Sequence, residues 1–518
     1  HGRLLSSRLE KTVARGATGI WVSQYHAGHP ICILAWLRLC SCVFSFADFM
    51  TALSNVSAPY AGRRAALARQ MGANAIAVIP TAPEQPRNRD SDFPYRHDSY
   101  FYYLTGFDEP NAWLVLQTDT AGALRTTLFC QPKDMDREIW DGYRLGPEAA
   151  VSALGVDAAH PVAELDERLP RMLENTGAVL YPFAMHDGLA VRMEGWLRKV
   201  RARVRYGVVF PAVQRDACAL LDEMRLIKDA HETGIIRRAC AITAQAHVRA
   251  MQAAARMLRE GQDVREYHIE AELLHEFRRH GAQHPAYGNI VAAGGNACVL
   301  HYRAGNVPVR NGEMVLIDAG CELDGYASDI TRSFPANGRF TPPQRAVYDL
   351  VLAAEEAAIA RVQPGVRHND IHDATVKVIA QGLLDLGILD RNKHGGVDDV
   401  IENRAYFRFY MHRAGHWMGM DVHDCGSYVE PSEIGQASTR KDALTGETII
   451  DRPSRILRPG MVFTIEPGLY IRPADDVPEA YWNIGIRIED DVLVTQQGCE
   501  LLTRGVPVAP DAIEALMR

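Results

Sequence analysis

No Cys-x-x-Cys pair occurs in the 518 residues, and the ten cysteines are scattered without zinc-ribbon spacing. A structural zinc site is therefore not expected. The pattern suits reduced thiols in a cytoplasmic setting better than a disulfide framework. Blocks of like charge are also missing. A formal net charge of −8 without a basic stripe argues against nucleic-acid partners and says little about substrate. No clean membrane-length apolar run stands out either: Ile31 to Ala47 is short for a span and broken by Arg38, so no membrane partner is expected. Ser45 and Ala47 have cleavage-like spacing, but the segment before the apolar run is too long for an ordinary signal peptide. Residues 1–49 read as a non-native or upstream-translated extension.

Beyond Met50 the patterning is that of a globular protein, with 47% apolar and 23% charged residues overall. The length predicts two to three domains. A short amphipathic helix is expected over Ala61–Met71, then strands at 74–80, 100–107, 112–118, 126–132 and 205–211. Helices are expected near 162–169 and 187–200. Strands mixed with helices over residues 57–222 make an α/β amino-terminal domain. The aromatic run Tyr100 to Tyr103 reads as core. The stretch Leu220–Glu232 leads into a second domain, residues 223–518. There two long helices precede strands, twice over, which predicts an internal pseudo-twofold duplication with a site between the halves.

The chemistry concentrates in that second domain. In "MVLIDAGCELDGYASDITRSF", residues 314–334, Asp324-Gly325 between apolar-alternating runs is a strong hairpin signal. A two-residue turn there sets Asp329 opposite Gly320. Asp318 and Asp329 then share a face as diagonal neighbours about 5–8 Å apart, close enough to share a cation. Further on, "MHRAGHWMGMDVHD" carries His412, His416 and His423 within twelve residues. Packing alone explains one such histidine more readily than three. Glu466 closes an apolar strand before Pro467-Gly468. Glu489 interrupts another apolar strand and needs a partner there. Arg487 reads as outward-facing by alternation, or else as a residue that supports the ligands from behind. An oxygen-rich set with a single imidazole favours two divalent cations of the manganese or magnesium type, with cobalt and zinc also able to bind.

The stretches "YGNIVAAGGNACVLHY", "LIDAGCELDGYASDITRSFP", "HWMGMDVHD", "MVFTIEPGLYI" and "GIRIEDDVLV" resemble those of aminopeptidase P (Xaa-Pro aminopeptidase) among the pita-bread metallopeptidases. "FPYRHDSYFYYLTGFDEPNAWLVL" and "WDGYRLG" resemble that family's amino-terminal domain. The resemblance implies an α+β pita-bread catalytic domain of the creatinase/aminopeptidase type behind the α/β domain. It implies two divalent metal ions, foremost Mn2+, with Asp318 on one, Asp329 and Glu489 bridging both, and His416 and Glu466 on the other. His301, His412 and His423 match the histidines around the substrate, and Glu466 doubles as the proton acceptor. The implied activity is release of the first residue from peptides with proline second, by a cytoplasmic homo-oligomer, a dimer or tetramer. Prolidase, restricted to Xaa-Pro dipeptides, is the alternative. A polar insertion at 429–453 departs from the compact pattern and reads as a surface loop.

Overall fold

The computed structural model describes residues 46–303 and 305–518. The expectation for residues 1–49 falls almost wholly outside them. Residues 57–518 form one compact unit. Its amino-terminal part is built on a six-stranded mixed sheet. The order runs Ala158–Pro161, Leu124–Cys130, Trp113–Thr118, Ala75–Pro80, Ala178–Tyr181 and Val213–Asp216. Alternation along Ala75–Pro80 explains the layering. Ile76 and Val78 face the helices Leu165–Leu173 and Leu189–Arg201, where Trp196 and Leu169 complete one apolar layer. Ala75, Ala77 and Ile79 face the opposite layer, with Leu67, Phe101 and Leu104.

Two expected strands are absent in this part. The aromatic run expected as a strand over 100–107 is the helix Ser99–Thr105. Asp98 caps it by accepting the Phe101 N–H at 2.9 Å, and Gly106 closes it in the left-handed region at φ 64°. Six of its seven residues are buried, so the helix shows no polar face to betray its period. The strand expected at 205–211 is a short 3-10 turn, Val204–Tyr206, followed by loop. The edge strand lies later, at Val213–Asp216, and carries no buried residue to mark it.

In the second part the helix pair Ala230–Arg259 and Glu266–Arg279 precedes a sheet of Ile290–Ala293, Met314–Ala319 and Ile330–Pro335. The pair Pro342–Ile359 and His368–Asp385 then precedes the strands Val462–Ile465, Gly468–Ile471, Ile484–Arg487 and Asp490–Val494. The predicted repetition of helices then strands is therefore present. A bridge between Thr331 and Glu489 ties the strands of one half to those of the other.

The aspartate hairpin has the expected register. Ala319 pairs with Ile330 and Asp318 with Thr331, and Leu323 and Tyr326 exchange both backbone hydrogen bonds at 2.9 Å across the turn. Asp324 and Gly325 lie at φ 50° and 79°, as a type I′ turn requires. The 429–453 insertion is an exposed hairpin of Ser438–Lys441 and Thr448–Asp451. At its root the buried Glu430 carboxylate pairs with Arg458 at 3.2 Å, and at its turn end Asp442 accepts from Arg404 at 2.7 Å.

Candidate metal centre

A cavity of about 680 Å³ opens between the two halves, within the size range of ordinary ligand sites. Its lining includes all eight residues singled out from the sequence: His301, Asp318, Asp329, His412, His416, His423, Glu466 and Glu489. Asp318 is the last residue but one of a buried strand, and Asp329 precedes its partner strand by one residue. Gly320 makes their approach feasible, because a Cβ there would lie 1.6 Å from the Ser328 carbonyl oxygen. Glu466 follows Val462–Ile465 directly and is fixed through its backbone N–H to the Ala414 carbonyl at 2.8 Å. That bond ties Glu466 to the histidine loop.

The tightest cluster is Asp329, His416 and Glu489, whose candidate ligand atoms all lie within 4.8 Å of one another. Glu466 approaches the same imidazole, at 3.7 Å from Nε2. Asp318 joins Asp329 through the Tyr287 hydroxyl, whose single proton is shared between the two carboxylates, 2.6 Å from Asp318. On the His416 ring, Nδ1 lies 3.1 Å from the Trp417 carbonyl oxygen. A proton on Nδ1 makes that contact a hydrogen bond and leaves the Nε2 lone pair facing the carboxylates. This is the arrangement metal-ligating histidines adopt.

The electrostatics fit a cation site. Asp318, Asp329 and Glu489 are 9%, 5% and 2% exposed. Burial pushes Glu466 up to about 7, against the pull of His416 and Arg487. Burial, then the neighbouring Asp329, drives Glu489 well above the usual carboxylate range. Asp329 is raised by burial too, although His416 opposes it. For His416, burial pulls the imidazole down, but Asp329 and Glu466 outweigh it and hold it at about 9. Four carboxylates around one histidine and one arginine lack the positive charge to stay ionised together. Divalent cations are the ordinary remedy.

Arg487 lies two residues from Glu489 and shares its face. It is not outward-facing: it is buried, pairs with Asp318, and donates to Thr331 Oγ1 at 3.1 Å and to the Tyr470 hydroxyl at 3.0 Å. Its carboxylate partner is Asp318, and it reaches Glu489 only through the Thr331 hydroxyl. Thr331 in turn donates to Glu489 Oε2 at 2.5 Å. Tyr287 and Thr331 were not singled out from the sequence. Tyr287 precedes its strand by three residues, so no alternation pattern aims it at the carboxylates. Thr331 was legible through the hairpin register, opposite Asp318.

The three remaining histidines surround the opening. Burial and then Arg487 lower His412 to about 4. Its Nδ1 meets the Arg413 carbonyl at 2.8 Å and its Nε2 the Tyr470 hydroxyl at 2.9 Å. The His423 ring packs edge-on against His416, with centroids 4.1 Å apart. His301 is exposed on the cavity wall.

Comparison with known proteins places the chain in a family. Residues 234–496 match metallopeptidase family M24, and residues 60–181 match the aminopeptidase P N-terminal domain. The chain is 44% identical to an Escherichia coli Xaa-Pro aminopeptidase over 455 residues, covering 88% of this chain and 96% of that one. A Pseudomonas aeruginosa aminopeptidase structure superposes with a TM-score of 0.81 at 45% identity, covering 89% of this chain and 98% of the other. A zinc-substituted Escherichia coli aminopeptidase P in complex with product gives the same TM-score at 42% identity, with 89% and 98% coverage. No helix among the described residues is long and apolar enough to cross a membrane. The chain belongs to metallopeptidase family M24, as a hydrolase of the aminopeptidase P group with an α/β amino-terminal domain and a pita-bread catalytic domain.

Proposed function

We propose that this enzyme is a dinuclear-metal aminopeptidase that releases the first residue from peptides with proline second. The observation that carries the reading is the convergence of Asp318, Asp329, His416, Glu466 and Glu489 on one cavity wall. Asp318 would serve one ion, Asp329 and Glu489 both, and His416 with Glu466 the other. Manganese is the first choice for so oxygen-rich a set. The ions supply Lewis acidity and make water nucleophilic near neutral pH.

The chain's own residues do the rest. Arg487 and Tyr287 hold Asp318, and Thr331 holds Glu489, so the carboxylates keep their spacing through the reaction. Glu466 accepts the proton of the attacking water. Proline nitrogen leaves from a tertiary amide and must be protonated as it departs, so that proton has an obligatory destination. His412, neutral and fixed by Tyr470, and the exposed His301 and His423 border the space for the scissile carbonyl and the ring.

The seven described cysteines are all unpaired, which supports a reducing compartment such as the cytoplasm. Met135, Ile139, Trp140 and Tyr143 form an apolar face at least 76% exposed, which supports a homo-oligomer. The test of the substrate reading is a set of four peptides. Ala-Pro-Ala should be cleaved after the first residue, whereas its acetylated form and Ala-Ala-Ala should resist. Cleavage of the dipeptide Ala-Pro alone would assign the chain to prolidase instead.

A further inference from the structure

Three arginines line the cavity: Arg303, Arg413 and Arg487. Arg487 is buried and committed to Asp318. The other two are exposed and, among the described residues, neither has a carboxylate within ion-pair distance. Arg413 is oriented without being neutralised, because its guanidinium donates to the neutral Asn369 amide oxygen. Arg303 is packed against Gly288, its Nη1 only 2.6 Å from where a Cβ would stand.

Their places in the chain are paired. Arg303 follows His301 in the first half by two residues, and Arg413 follows His412 in the second half by one. Both therefore stand beside histidines that border the space for substrate.

The cavity's four carboxylates would be taken up by cations, so none of them offsets these two positive charges; Asp373, beyond ion-pair distance, offsets Arg413 only in part. An amino-terminal ammonium would be repelled by them, so they suit the other end of the peptide. In a short substrate that end is close: a tripeptide terminates in a carboxylate one residue after the proline. A guanidinium meets a carboxylate in a two-pronged, charge-assisted contact.

We infer that Arg303 and Arg413 form a carboxylate-recognising subsite on the leaving-group side of the cavity. It selects peptides that carry a carboxylate just beyond the proline, from the chain terminus or from an acidic side chain. The inference rests on the Xaa-Pro reading and names the peptides that site prefers.

Three substrates test it: Ala-Pro-Ala with a free carboxylate, its carboxy-terminal amide, and Ala-Pro-Glu amide. The free acid should exceed the amide in kcat/KM by roughly tenfold, chiefly through KM, because the contact is already made in the ground state. Ala-Pro-Glu amide should recover that advantage if a side-chain carboxylate serves, and should match the neutral amide if only the terminus does. Either outcome supports the subsite and identifies the source of the carboxylate. In the R303Q/R413Q double variant the acid and amide should converge. Calorimetric binding of the product Pro-Ala and of its amide reads the same subsite apart from turnover, with the acid bound more tightly by wild type alone. Equal kcat/KM and equal affinity for acid and amide in wild type, or a preference that survives in the double variant, would overturn the inference while leaving the Xaa-Pro reading intact. Resistance of all three peptides would sink that reading instead, and the calorimetry would still decide the subsite.

Discussion

Asp424→Asn should destabilise the enzyme severely, and the structure gives the size. Asp424 accepts from Arg225 Nη2 at 2.6 Å and from Lys228 Nζ at 3.0 Å. All three side chains are 2% exposed or less. An amide of the same shape leaves Lys228 without a counter-charge. Arg225 keeps only Asp421, at 2.8 Å and on a side chain that is 43% exposed. Removing one partner of a buried ion pair costs roughly 3–5 kcal/mol, against a whole stability of about 5–15 kcal/mol. Urea unfolding at pH 7 should therefore show a markedly lower midpoint. Acid adds a second signature. Burial raises the Asp424 carboxyl, but Lys228 and Arg225 outweigh it and hold it below the ordinary range. Its stabilisation is then present above the unfolded carboxylate pKa of about 3.9 and lost as pH falls through the lower folded value. The Asn variant should lack that part of the acid transition. Asp424 also anchors the loop bearing His423, so kcat/KM should fall as well. An unchanged urea midpoint together with an unchanged acid limb would refute the reasoning.

Asp329→Ala and Glu489→Ala should each abolish turnover and lower the bound metal measured by elemental analysis, since each would remove a proposed bridge between the ions. His416→Ala should weaken chiefly one of the two ions. His423→Ala should keep near-native metal content while losing about 10²–10⁴ in kcat, the usual share of a positioned acid–base group; metal loss in that variant would make His423 a ligand. Gly325→Ala should cost about 1–2 kcal/mol in denaturant unfolding, because φ of 79° disfavours a side chain and the new Cβ would sit 2.9 Å from His97 Nε2.

The parts of this molecule most legible in its sequence are those where local chemistry leaves one answer. Asp324-Gly325 admits a two-residue turn, and that turn alone fixes which residues face each other from Met314 to Pro335. The acidic and imidazole side chains of the site stand out because carboxylates such as Glu489 sit in otherwise apolar strands. Legibility fails where tertiary packing decides. The Ser99–Thr105 helix is buried nearly all round, so its aromatics mimic a strand. Val213–Asp216 is a strand only because the parallel neighbour Ala178–Tyr181 offers hydrogen bonds to an otherwise polar segment. Tyr287 reaches two carboxylates from outside any regular element, and only the folded chain brings it there.

Two divalent ions held in one cavity would make peptide cleavage depend on them. Chelated enzyme should be titrated with Mn2+ while calorimetry counts the ions bound and Ala-Pro-Ala cleavage is followed on the same samples. Two sites per chain are expected, with no cleavage in the chelated enzyme and recovery of activity as the ions bind. A single site, or cleavage that survives complete chelation, would contradict this.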